Sequence, residues 1–128
     1  MRRVDGAEQT HVFLVEQDGW PIGWIQWYLW DDFKSHARQL GAELNTAGMD
    51  LAIGEVKMTG LGLDPIIIRE FVRRFILAIS NARAVIADPE QSNLRSLRAF
   101  DKAGFKMVGV VQLEGERCKR QVVRLDLP

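Results

Sequence analysis

The sequence predicts a single α/β domain spanning 1–128, built from strands, two amphipathic helices and one parallel crossover. Three observations predict it. A turn signal, Asp18-Gly19, separates two β-rich stretches, a loop with two glycines joins an apolar strand to an amphipathic helix, and a short apolar run, Ala84–Ala87, follows that helix. A chain of 128 residues is long enough to bury roughly two-thirds of its unfolded surface around one core.

The first strand is Thr10–Glu16, rich in β-branched and aromatic residues, and its hairpin partner is Ile22–Trp30. That partner is apolar on both alternating sets, with Ile22, Trp24, Tyr28 and Trp30 on one face and Ile25, Trp27 and Leu29 on the other, so it is expected to be covered on both sides. Trp20, Trp24, Trp27 and Trp30 crowd into this short segment, more densely than packing alone requires. Trp27 and Trp30 are therefore candidates for the wall of a substrate cleft, against the alternative that all four tryptophans are core. The polar stretch from Asp31 to Ala47, with Gly41 and Asn45 as breakers, reads as a connection carrying a short helix around His36–Leu44. His11 and His36 read as ordinary surface or packing residues.

Met49–Ile53 reads as a short buried strand with Asp50 inside it, where a carboxylate must be paired, hydrated or functional. Asp64 and Pro65 then suit the N-cap and first position of a helix reaching Ile79, with an apolar stripe through Ile67, Ile68, Phe71, Val72, Phe75, Ile76 and Ile79. Ala84–Ala87 fits a central strand parallel to its neighbour. Asn93 precedes a second helix, Leu94–Ala103, which Gly104 ends. Two last strands, Phe105–Leu113 and Cys118–Leu127, flank the turn Glu114-Gly115-Glu116.

Composition narrows the function. Basic and acidic residues number 17 each and are dispersed, which argues against nucleic acid or a polybasic membrane surface and for a small molecule or protein partner. The lone Cys118, expected to pack inertly in its strand, and the lack of Cys/His ligand spacing point to a reducing compartment and no metal. No run approaches about 18 apolar residues, so the chain reads as cytoplasmic and soluble.

In Val56–Leu63 (V-K-M-T-G-L-G-L), Gly60 and Gly62 permit close backbone approach, and the helix that follows offers its positive end to a pyrophosphate. A second constellation, Asn93-x-x-Ser96-x-x-x-Phe100-x-Lys102-x-Gly104-Phe105, lies beyond the next strand. With this pairing the chain resembles the GNAT superfamily of acyl-CoA-dependent N-acetyltransferases, whose first motif is Q/R-x-x-G-x-G/A and whose second runs from Asn to Lys-x-Gly-Phe. Gly19–Gly23, Asp50–Glu55 and Asp88-Pro89-x-x-x-Asn93 look most like the aminoglycoside 6'-N-acetyltransferases and the related siderophore lysine acyltransferases.

The resemblance implies a mixed, mostly antiparallel central sheet with helices on both faces, shortened at the amino terminus. It implies acetyl-CoA as acyl donor, held by Val56, Lys57, Met58, Gly60, Leu61, Gly62, Leu63, Asn93 and Lys102, and Asp50 as the base for an amine acceptor. The acids Asp31, Asp32, Asp50, Glu55 and Asp88 fall on one expected rim beside the tryptophan-rich strand. Such a surface favours a cationic small molecule, an amino sugar or polyamine, with Trp27, Trp30, Asp31, Glu55 and Asp88 as acceptor contacts.

Four departures stand out. Phe100 replaces a tyrosine that protonates the departing thiolate in many relatives. Lys57 replaces the usual Gln or Arg, and Asp64, as an N-cap, opposes an anion. Only nine residues precede Thr10 where the family places a strand and two helices. An exposed sheet edge would follow, and with it a homodimer. These departures keep a second reading in play, a non-catalytic acyl-CoA-binding or interaction protein on the same fold.

Overall fold

The computed structural model describes residues 2–4, 9–54 and 63–128. Its centre is one seven-stranded sheet in the order β1-β2-β3-β4-β5-β7-β6. The strands are β1 (Arg2–Val4), β2 (Thr10–Gln17), β3 (Trp20–Leu29), β4 (Thr46–Ile53), β5 (Ala84–Ala87), β6 (Lys106–Gln112) and β7 (Lys119–Asp126). All neighbours are antiparallel except β4 and β5, which run parallel because the chain crosses over through a helix between them. Helix α1 spans Lys34–Leu40, α2 spans Leu63–Phe71 and continues through a π-helical segment, Val72–Leu77, and α3 spans Leu94–Lys102.

The hairpin forms where Asp18 and Gly19 both adopt positive φ, 52° and 82°, the geometry of a two-residue turn matched to strand twist. Side chains then alternate across the sheet. One face carries Phe13, Ile25, Trp27, Met49 and Val85 against Ile68, Phe71 and Ile76 of the α2 segment and Ala99 and Phe100 of α3. Phe71 and Phe75 both contact the Phe13 ring, at 5.4 and 4.4 Å. The other face gathers Tyr28, Trp30, Ile86 and Val122 with Ala37 and Leu40 of α1. Helices thus lie on both faces of the sheet, as expected.

Four expectations are corrected. The first helix sits earlier than His36–Leu44, because Gly41 takes φ 74° and ends it at Leu40. α2 starts at Leu63, so Asp64 lies inside the first turn instead of capping it. Cys118 is exposed just ahead of β7 instead of buried within it. The edge of β2 expected to be exposed is partly covered, because β1 pairs with Val12–Leu14. The exposed apolar residues Met107, Val108 and Val110 lie instead on the opposite edge strand, β6.

Candidate functional site

β4 and β5 pair only over Thr46–Gly48 and Ala84–Ile86, after which β4 continues to Ile53 without β5 beside it. This divergence opens a cleft lined by Leu51, Ala52, Ile53 and Gly54 on one side and by Asn93, Arg95, Ser96 and Ala99 on the other. The ladder sets what β4 offers the cleft. Gly54 N–H donates to Ile22 O at 2.9 Å, and alternation along the antiparallel pair then turns the N–H and C=O groups of Leu51 and Ile53 away from β3 into the cleft. A strand edge of this kind pairs with an amide-bearing chain. On the far wall Asn93 caps α3, its side-chain oxygen accepting from Ser96 N at 3.2 Å. Asp64 also lines the cleft and accepts from Arg95 at 2.9 Å. Its carboxylate therefore spans the first turns of α2 and α3.

Towards the middle of the sheet the cleft continues past Met49, Asp50 and Phe100 into an acid-lined hollow formed by Thr10, Gln26, Tyr28, Phe33, His36, Asp50, Asp88 and Arg120. Asp50 stands where the two meet. It is half-buried, and Gln26, its cross-strand partner, donates to Oδ2 at 2.9 Å. The Tyr28 hydroxyl is driven far above its ordinary pKa, first by burial, then by the charges of Asp50 and Asp88 and a hydrogen bond to Asp50. Tyr28 thus remains a neutral phenol beside the carboxylate. Asp88 follows β5 and is 4 % exposed. Burial raises its carboxyl above the usual range, and the hydrogen bond with His36 Nε2 at 2.8 Å opposes that rise. Arg120 donates to the Asp88 carbonyl at 3.2 Å and holds Glu116 through two bonds of 2.9 and 3.0 Å.

The expected residues divide by position. Asp50, Asp88 and Asn93 converge on the cleft and hollow. Val56, Lys57, Met58, Gly60, Leu61, Gly62 and Glu55 lie outside the described residues, and of Leu63 only the helical backbone is described. Lys102 ends α3, where its carbonyl accepts from Arg69, and it lines none of these depressions. Trp27 does not reach the hollow, because strand parity turns it to the opposite face, where it stacks on His11 at 4.4 Å. Trp30 is 1 % exposed and donates to Ile86 O at 3.1 Å, supporting the hollow from below. Asp31 sits at the other end of β4, accepting from Asn45 N at 3.0 Å.

Gln26, Tyr28, His36 and Arg120 were not singled out by the sequence. Tyr28 and Asp50 share a face only once the register of β3 and β4 is known, and Asp88 is 52 positions from His36. Among the described residues no cluster of His, Cys, Asp and Glu could hold a metal ion, and no helix is long and apolar enough to cross a membrane.

Comparison with known proteins fits this geometry. The family described as "Acetyltransferase (GNAT) domain" matches residues 1–113. The aminoglycoside N(6')-acetyltransferase type 1 of Klebsiella pneumoniae is 26 % identical over 104 residues, 81 % of this chain and 51 % of that protein. The chain therefore spans about half the length of this curated relative. The structure of aminoglycoside acetyltransferase AAC(6')-Ib in complex with coenzyme A and kanamycin superposes with a TM-score of 0.73 at 23 % identity, covering 93 % of this chain and 67 % of that one. An uncharacterized protein from Bacillus halodurans superposes at 0.80 with 19 % identity, covering 94 % and 60 %. Both likenesses establish the fold.

Proposed function

The chain belongs to the GNAT acetyltransferase family, and from that premise we propose that it transfers an acetyl group from acetyl-CoA to a primary amine of a cationic small molecule, an aminoglycoside or a polyamine. The observation that carries this reading is the position of Asp50, which lines both the cleft beside the open edge of β4 and the acid-lined hollow.

The cleft suits the acyl donor. Backbone groups of Leu51 and Ile53 match the amides of a pantetheine arm, and the α2 and α3 amino termini with Arg95 favour phosphate at the outer end. The hollow suits the acceptor, since Asp50 and Asp88 attract ammonium groups. Asp50 takes a proton from the ammonium, directly or through water, and the free amine attacks the thioester carbonyl. Gln26 holds the carboxylate in place for that step. Phe100 is buried against Phe105 and contributes no proton to the departing thiolate, which leaves unaided because a thiol of pKa about 8.5 is a tolerable leaving group. A lysine or siderophore-type amine is the nearest alternative acceptor. Phe100 is also the observation that favours a second reading, an acyl-CoA-binding protein without catalysis.

Thiol release from acetyl-CoA with a panel of aminoglycosides, polyamines and lysine-type amines tests the proposal. Turnover with a cationic amine supports it. No turnover with any amine, together with no rise in Tm on adding acetyl-CoA, contradicts it.

The Asp64–Arg95 pair gives a further expectation. Its carboxylate faces the cleft that would receive the donor's phosphates, so Asp64→Ala frees Arg95 and removes a repulsive charge. Acetyl-CoA is expected to bind about two- to fivefold more tightly by calorimetry, the size of one partly exposed charge contact. Weaker binding would show that Asp64 instead supports the first turn of α2.

A further inference from the structure

His36 is drawn from α1 onto the end of β5, its Nε2 lying 2.8 Å from Asp88 Oδ2, with side-chain exposures of 41 % and 3 %. The pair lines the hollow together with Asp50. Of the polar groups there, Tyr28 stays neutral and Arg120 keeps its charge while bound to Glu116. An imidazole, in contrast, ordinarily changes its charge between about pH 5 and 8.

We propose that His36 is a positioning residue that sets the charge of the hollow through Asp88, so that a cationic acceptor is held while the ring is neutral and expelled when the ring is protonated. The inference rests on the acceptor class proposed above. A neutral ring donates Nε2–H to Asp88 and leaves the carboxylate anionic towards an incoming ammonium. A protonated ring neutralises Asp88 and places a second cation beside the acceptor. The Trp30 ring meets the His36 ring edge-to-face, 5.0 Å between centroids, beside Asp88. The charged and titratable groups facing it are Asp88 after β5, Asp50 on β4, Tyr28 on β3, Arg120 on β7 and Glu116 in the turn before β7. Asp32 and Lys34 are its neighbours in sequence.

A unit charge about 6 Å from another, at an effective dielectric near 20, changes an equilibrium by roughly a hundredfold, and solvent at the half-exposed ring reduces this to about tenfold. The competing source of pH dependence is Asp88 itself, whose carboxyl burial raises. His36→Gln separates the two, because glutamine still donates to Asp88 and never becomes charged.

The test measures KM for kanamycin in acetyl transfer between about pH 5.5 and 7.5 for wild type and His36→Gln, with circular dichroism to confirm folding of the variant. The expected result is a KM that rises about tenfold towards acid in wild type and stays flat in the variant, with kcat following the same pH course in both. The same acidic rise in both proteins assigns it to a carboxyl group and overturns the proposal. If kanamycin is not acetylated, the wider amine panel decides the enzyme reading, and calorimetric titration of kanamycin into the two proteins decides the role of His36. Affinity that falls in acid only when histidine is present sustains the proposal. Equal pH dependence, or no binding, overturns it.

Discussion

Asp50→Asn is expected to lower kcat/KM for acetyl transfer by about 10²- to 10⁴-fold, the range for loss of a positioned general base. Asparagine has the same shape, accepts the Gln26 hydrogen bond through its amide oxygen, and leaves the β3–β4 pairing untouched. It cannot take a proton from an ammonium. Acetyl-CoA affinity is expected to stay unchanged, because the cleft offers the donor the backbone of Leu51 and Ile53 and the side chains of α3. The loss should therefore fall on kcat, with a smaller rise in acceptor KM from the missing charge. Thiol-release kinetics on wild type and variant check this. Undiminished turnover would move the base to Asp88 and leave the family assignment intact.

Gly48→Ala is expected to cost about 1–3 kcal/mol of stability, the usual penalty for overpacking a core. A β-carbon at Gly48 would lie 2.7 Å from Tyr28 Cζ and 2.9 Å from Trp30 Cε2. Neither ring can step aside easily, since both are buried and Trp30 is tied to Ile86 O. Gly48 also makes the last pairing with β5 before the strands diverge, and it lies two residues before Asp50. The substitution should thus shift the Tyr28 ring and the strand carrying Asp50, and reduce kcat even at temperatures where the variant is folded. Thermal denaturation by circular dichroism and thiol release measure the two effects. An unchanged Tm would show that the rings accommodate the methyl group.

Much of this arrangement was legible because local chemistry agreed with the fold. Asp18-Gly19 announces its hairpin through residues that tolerate positive φ, and Asn93 and Gly104 bracket α3 at the ends expected of a cap and a terminator. Ala84–Ala87 reads as a buried parallel strand because all four residues are apolar, and all four are buried. Asp50 stood out as a charge inside an apolar run.

What escaped the sequence depends on register and distance. The parity of β3 puts Trp27 and Trp30 on opposite faces, where both are buried, while Trp20 and Trp24 are exposed, so tryptophan density alone did not say which rings face a cleft. Asp64 carries the signature of an N-cap, yet Arg95, 31 residues later, claims its carboxylate. The three residues of β1 are too few for a periodic signal. His36 is ordinary in its own segment and becomes part of the hollow only because α1 packs over the end of β5.

The central claim, that the divergence of β4 from β5 forms the acyl-donor site, is tested most directly by amide NMR of the protein titrated with acetyl-CoA. The largest shift changes are expected on Leu51, Ala52, Ile53, Gly54 and Ser96, which line that cleft. Saturating changes confined to other surfaces, or none at millimolar acetyl-CoA, would contradict it.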